Sequence, residues 1–178
     1  MSSCKQTLHR YAKRYLIDAM GAMAQGLFAS LLVGTILDTI GAQFGLAILT
    51  EIGTYAKAMA GPAMAVAIGY ALQASPLVLF SLATVGHMAN SLGGSGGPLA
   101  VLIIAIIAHE LGMLVSKKTK VDILVTPLTT ILSGALLSYL LAPAIGTAAS
   151  SLGDLIKWAM LQQPLLMGIL VSTLVGIA

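Results

Sequence analysis

Along the chain, long apolar stretches alternate with short polar or charged breaks, and their lengths predict membrane helices. Residues 19–37 form a first run of 19 residues without a formal charge. From residue 58 to residue 108 only His87 can carry a charge, which is room for two or three segments of the ~20 residues a crossing needs. The breaks divide this region into spans at 58–72, 76–91 and 99–116, with Pro76 opening the second. The second span is short and polar-ended, so it could be re-entrant. A further span covers residues 123–142, with Pro127 near its start, where a missing N–H is best tolerated. Residues 143–155 are small, polar and turn-rich, and read as a loop. The last apolar run is 159–178, behind an interfacial Asp154, Lys157 and Trp158. The expected fold is an all-α, polytopic transmembrane helical bundle of about six membrane segments, with a re-entrant or broken-helix element.

Two shorter patterns refine this picture. In residues 5–18, Leu8, Tyr11, Ala12, Tyr15 and Leu16 recur at helical spacing opposite His9, Arg10, Lys13 and Arg14. This predicts a basic amphipathic helix over residues 1–18, lying on the cytoplasmic interface, ahead of a transmembrane domain at 19–178. In the first span Ala22, Gly26, Ser30 and Gly34 fall four residues apart, a small-residue face that lets a neighbour approach closely. Gln25 beside it reads as an interhelical hydrogen bond. Residues 38–57 carry Asp38, Glu51 and Lys57 around a short apolar run, and read as an outside loop with one interfacial helical turn.

Composition agrees with the pattern. Hydrophobic residues make up 58% and charged residues 8% of 178 residues, against roughly 25% charged in a soluble domain. A soluble enzyme core, a nucleic-acid binder, a disordered chain and a coiled coil are excluded. The net charge of +3 is concentrated near the N-terminus and at Lys117, Lys118 and Lys120. By the positive-inside rule both clusters are cytoplasmic, which demands an odd number of crossings between 58 and 116. Cys4 is the single cysteine, so neither an internal disulfide nor a cysteine metal site can form. The nine methionines read as core filling. The first apolar run exceeds a signal-peptide core of about 7–15 residues and is read as retained.

Two constellations could carry chemistry. From Gly86 to Pro98 the chain holds five glycines, Gly86 included, with His87, Asn90, Ser91 and Ser95. Irregular backbone at membrane depth is tolerated where it lines a cavity, and broken helices bind solutes in transporters. Gly93, Gly94, Gly96 and Gly97 would present backbone groups, and the four polar side chains would add hydrogen bonds. The alternative is an ordinary glycine-rich turn. The second constellation is His109–Glu110 within the third span of that region. An ionisable group there costs about 2.5–3.5 kcal/mol on insertion and faces a cavity or a partner. Glu110 could accept sugar hydroxyls or a coupling proton. The alternative is a structural bond to a neighbouring helix. Asp38, Glu51, Asp122 and Asp154 read as solvated charges at span ends. No catalytic triad, metal set or cofactor motif is apparent.

The run Lys-Thr-Lys-Val-Asp-Ile-Leu-Val-Thr-Pro at 118–127, with its upstream apolar helix from Gly96, resembles the phosphotransferase-system enzyme IIC-like family, as does Gln-Pro-Leu-Leu-Met-Gly-Ile at 163–169. The branch it resembles includes the membrane regulator associated with perfringolysin O expression. The resemblance covers the N-terminal half of the family pattern, so the chain is expected to be half of a longer transporter domain. It implies a multi-pass protein of the bacterial cytoplasmic membrane that translocates a small polar solute, a sugar, with soluble phosphocarrier subunits as partners. Enzyme IIC sites use a glutamate and a histidine near broken helices, which makes Glu110, His109 and His87 candidates by type. With no phosphocysteine or phosphohistidine domain, the chain would not transfer phosphate alone. A homodimer could enclose the path. Two other readings stay open: a membrane sensor that regulates without transport, and an ion-coupled carrier of another solute.

Overall fold

The computed structural model describes residues 13–118 and 121–160, which form helices joined by short turns. Helix α1 (Lys13–Phe44) is a continuous 32-residue rod. Two π-helical stretches, Lys13–Asp18 and Phe28–Leu32, interrupt its α-helical winding. Helices α2 (Ala47–Ala58) and α3 (Ala60–Ala71) follow almost end to end and run back along α1. Helices α4 (Pro76–Gly93) and α5 (Gly97–Val115) form a hairpin, and α6 (Asp122–Met160) packs against both arms.

Small residues set the helix spacing. The predicted face of α1 is used as a contact surface: a Cβ at Gly26 would fall 2.6 Å from the Ala63 carbonyl oxygen, and one at Gly34 would fall 2.8 Å from that of Gly53. Gly61 meets Gly86 between α3 and α4 in the same way. Gly93 and Gly96 bring the α4–α5 turn against Ile145 and Gly146 of α6. The core beneath holds Met64, Ile68 and Leu72 of α3, Val78, Leu82 and Val85 of α4, and Val101 and Ile104 of α5. Outside, Leu124, Leu128, Leu132, Leu136 and Leu140 make an exposed ridge along α6. An apolar exterior of this extent belongs in lipid.

Three stretches among the described residues are long and apolar enough to cross a membrane: Lys13–Phe44, Pro76–Val115 and Asp122–Asp154. The middle one is folded on itself. The Ser75 and Ser116 hydroxyls at its two ends meet at 3.0 Å, so it holds two of the expected segments as antiparallel arms of 18 and 19 residues. Each arm rises about 27 Å, close to a hydrocarbon core. Ala60–Ala71 is a shorter apolar helix, and the expected final segment lies outside the described residues beyond Met160.

Two expected loops are helical. Residues 38–57 form the tip of α1, a turn at Gly45 with φ +67°, and α2; Lys57 pairs with Asp38 across this hairpin at 2.5 Å. Two of the three charges that suggested a solvated loop, Asp38 and Lys57, satisfy each other at the helix interface, while Glu51 stays exposed and accepts from the Tyr55 hydroxyl. Residues 143–155 continue α6 through Pro143. There the Ser150 and Ser151 hydroxyls bond to the carbonyls of Gly146 and Thr147, and small side chains fit the glycines of the α4–α5 turn. Lys13–Asp18 is the first turn of α1, while residues 1–12 of the expected interfacial helix lie outside the described residues.

Candidate functional site

The glycine-rich segment is a tight turn between helices. Gly94 adopts φ +51° and ψ −122°, a conformation open to glycine alone in practice. Asn90 is wedged between backbones: its Oδ1 would sit 2.5 Å from a Cβ at Gly97, and its Cβ 2.7 Å from one at Gly61. The Ser95 hydroxyl bonds to that of Ser150 at 2.8 Å. His87 and Ser91 are exposed on α4. Asn90, Ser95, Gly93, Gly94, Gly96 and Gly97 thus come together, with most of their close approaches used in packing.

His109 and Glu110 lie elsewhere, roughly 20 Å along α5 from that turn. At this other end three elements converge. The Tyr15 hydroxyl of α1 donates to Glu110 Oε1 at 2.7 Å. Arg14 Nη2 donates to the Leu72 carbonyl at the end of α3 at 3.0 Å, and stands 3.9 Å from the same Glu110 oxygen. The guanidinium also lies over the Tyr15 ring, 5.5 Å from its centroid. His109 Nδ1 is 3.3 Å from Glu110 Oε1, but is not aligned for a hydrogen bond. Its side chain is 1% exposed, and among the described residues both ring nitrogens lack a hydrogen-bond partner. Glu110 remains 44% exposed.

The arrangement is a half-open carboxylate backed by a buried imidazole, at the end of the bundle that carries Lys13 and Lys117. It can accept hydrogen bonds from a hydroxylated solute. Their cost in an apolar helix marks His109 and Glu110 in the sequence, whereas Arg14 and Tyr15 read there as parts of an interfacial helix. Contact between positions 15 and 110 leaves no local signal. A cleft of about 710 Å³ lies between α1 and α3 and does not reach Glu110. Its walls are mainly Ala, Gly and Val, and Asp18 and Gln25 are its principal polar members. Gln25 is exposed there and makes no interhelical hydrogen bond among the described residues. No group of three metal-ligating side chains occurs among the described residues.

The family model for the EIIC proteins of the phosphotransferase system matches residues 17–178. The chain belongs to the phosphotransferase system EIIC family. This EIIC chain is therefore a multi-pass membrane protein, a transporter subunit of that system. No curated protein and no solved structure matches it significantly.

Proposed function

We propose that this EIIC chain carries a sugar across the bacterial cytoplasmic membrane, with Glu110 as the acceptor for sugar hydroxyls and His109 behind it. The N-terminus and the Lys117 end face the cytoplasm in this reading, and soluble phosphocarrier subunits and a second copy of the chain are its partners. One observation supports this reading above the others: a carboxylate set in an apolar helix is held by Tyr15 yet stays half open. The glycine turn is left out of the site, because helix packing takes up its backbone approaches.

Uptake of radiolabelled glucose, galactose and mannitol into vesicles containing the protein, with and without soluble phosphocarrier proteins, tests it. Hydrogen bonds to a charged group contribute about 1.5–3 kcal/mol, so Glu110→Gln should cut uptake by about tenfold or more. Wild-type uptake indifferent to the phosphocarriers would point to the ion-coupled carrier instead. Unchanged uptake in E110Q would remove Glu110 from the path.

A further inference from the structure

We propose that Tyr15 is a positioning residue for Glu110, which makes the first turn of α1 part of the substrate site. The inference rests on the reading of Glu110 as the sugar-binding carboxylate.

The argument is in how the contacts are shared. Tyr15 Oη, His109 Nδ1 and Arg14 Nη2 all approach Oε1, at 2.7, 3.3 and 3.9 Å. Among the described residues nothing bonds to Oε2. A carboxylate offers about four acceptor positions on its two oxygens, and its last torsion is broad and nearly twofold. A donor on one oxygen fixes that torsion. Tyr15 therefore orients Glu110 so that Oε2 is the oxygen presented to a solute hydroxyl. Without Tyr15 the two oxygens exchange roles and the bound geometry is diluted.

The turn that carries Tyr15 is itself fastened. Arg14 donates to the Leu72 carbonyl, which lies at the end of α3 and has no onward helical partner. Its guanidinium covers the Tyr15 ring. At 3.9 Å and with both side chains more than 40% exposed, the Arg14–Glu110 pair is a weak screened attraction, so the work falls on the hydroxyl. His109 bounds the carboxylate on its buried side, 3.3 Å from Oε1, the oxygen that already accepts from Tyr15.

Two readouts test this, one of them independent of any sugar. Dicyclohexylcarbodiimide adds to a carboxyl oxygen, and intact mass reports the adduct. Tyr15→Phe deletes only the hydroxyl. It should raise the labelling rate at Glu110 severalfold at fixed pH, with E110Q as the unlabelled control. In uptake of the radiolabelled glucose, galactose and mannitol panel, Y15F should raise KM about five- to tenfold and leave the maximal rate within about twofold. A labelling rate and KM equal to wild type would overturn the proposal. If Y15F aggregates, Arg14→Lys loosens the fastening on Leu72 while keeping the hydroxyl; faster labelling there supports the proposal and an unchanged rate overturns it. Failure of E110Q to affect uptake sinks the site reading alone, since labelling still reports the Tyr15–Glu110 contact.

Discussion

Adding a single methyl group at Gly61 should force α3 away from α4. An ideal Cβ at Gly61 lies 2.5 Å from the Gly86 carbonyl oxygen and 2.7 Å from Asn90 Cβ, whereas ordinary contact starts at 3.4 Å. The helices must therefore separate by about 0.9 Å (3.4 minus 2.5) to accept Ala. A backbone oxygen has no rotamer by which to move aside. Overpacking of this kind costs about 1–3 kcal/mol, and the better helix propensity of Ala returns up to ~1 kcal/mol. Gly61→Ala should thus lose about 1–2 kcal/mol, roughly a five- to thirtyfold fall in the folded-to-unfolded ratio. The control is Gly21→Ala on α1, where nothing lies within 4 Å of the added carbon and stability should hold or rise. Unfolding of both variants in mixed micelles against dodecyl sulfate, followed by circular dichroism, gives the comparison. If G61A unfolds at the same detergent fraction as wild type, the glycine contact does not set the α3–α4 distance.

Further outcomes follow from other contacts. Lys57→Met should cost about 1 kcal/mol, since each partner of the Lys57–Asp38 pair is 32% exposed, and adding Asp38→Asn should recover part of it; additive losses in the double-mutant cycle would show that the two do not interact. Gly45→Ala places a side chain at φ +67° and should cost about 1–2 kcal/mol, with Gly45→Asn milder; equal stabilities for all three would contradict the turn conformation. His109→Leu removes two buried nitrogens without partners and should leave stability equal or higher while uptake falls. A loss above about 2 kcal/mol in the same unfolding assay would instead give His109 a structural bond.

The parts of the fold that were legible are those set by length and by glycine or proline. Pro76 opens α4 as expected, and α5 spans 97–115 against an expected 99–116. The four-residue stripe of α1 is a contact face. What stayed hidden depends on partners distant in sequence. Asp38 and Lys57 look like loop charges until the hairpin brings them together. Pro143 and its small polar neighbours look like a break, but hydroxyls that bond back to their own helix and a glycine turn alongside let α6 continue. At the site, the energetic cost of Glu110 marked it in the sequence. Its holder Tyr15 sits 95 positions away and looks like any aromatic at a membrane surface.

The four-residue rhythm of that stripe does not suit a uniform α-helix. With 3.6 residues per turn, positions four apart advance about 40° at each step, or about 120° from Ala22 to Gly34. The π-helical stretch Phe28–Leu32 lies inside this interval, and its wider turn winds the stripe back. Gly26 can then face Ala63 while Gly34 faces Gly53, so that one side of α1 serves two successive helices. The stripe is a thread cut for a screw of mixed pitch. Removing one residue between Phe28 and Leu32 would re-time the whole N-terminal part of α1, swinging Tyr15 off Glu110 while Val33–Phe44 stayed seated on α2.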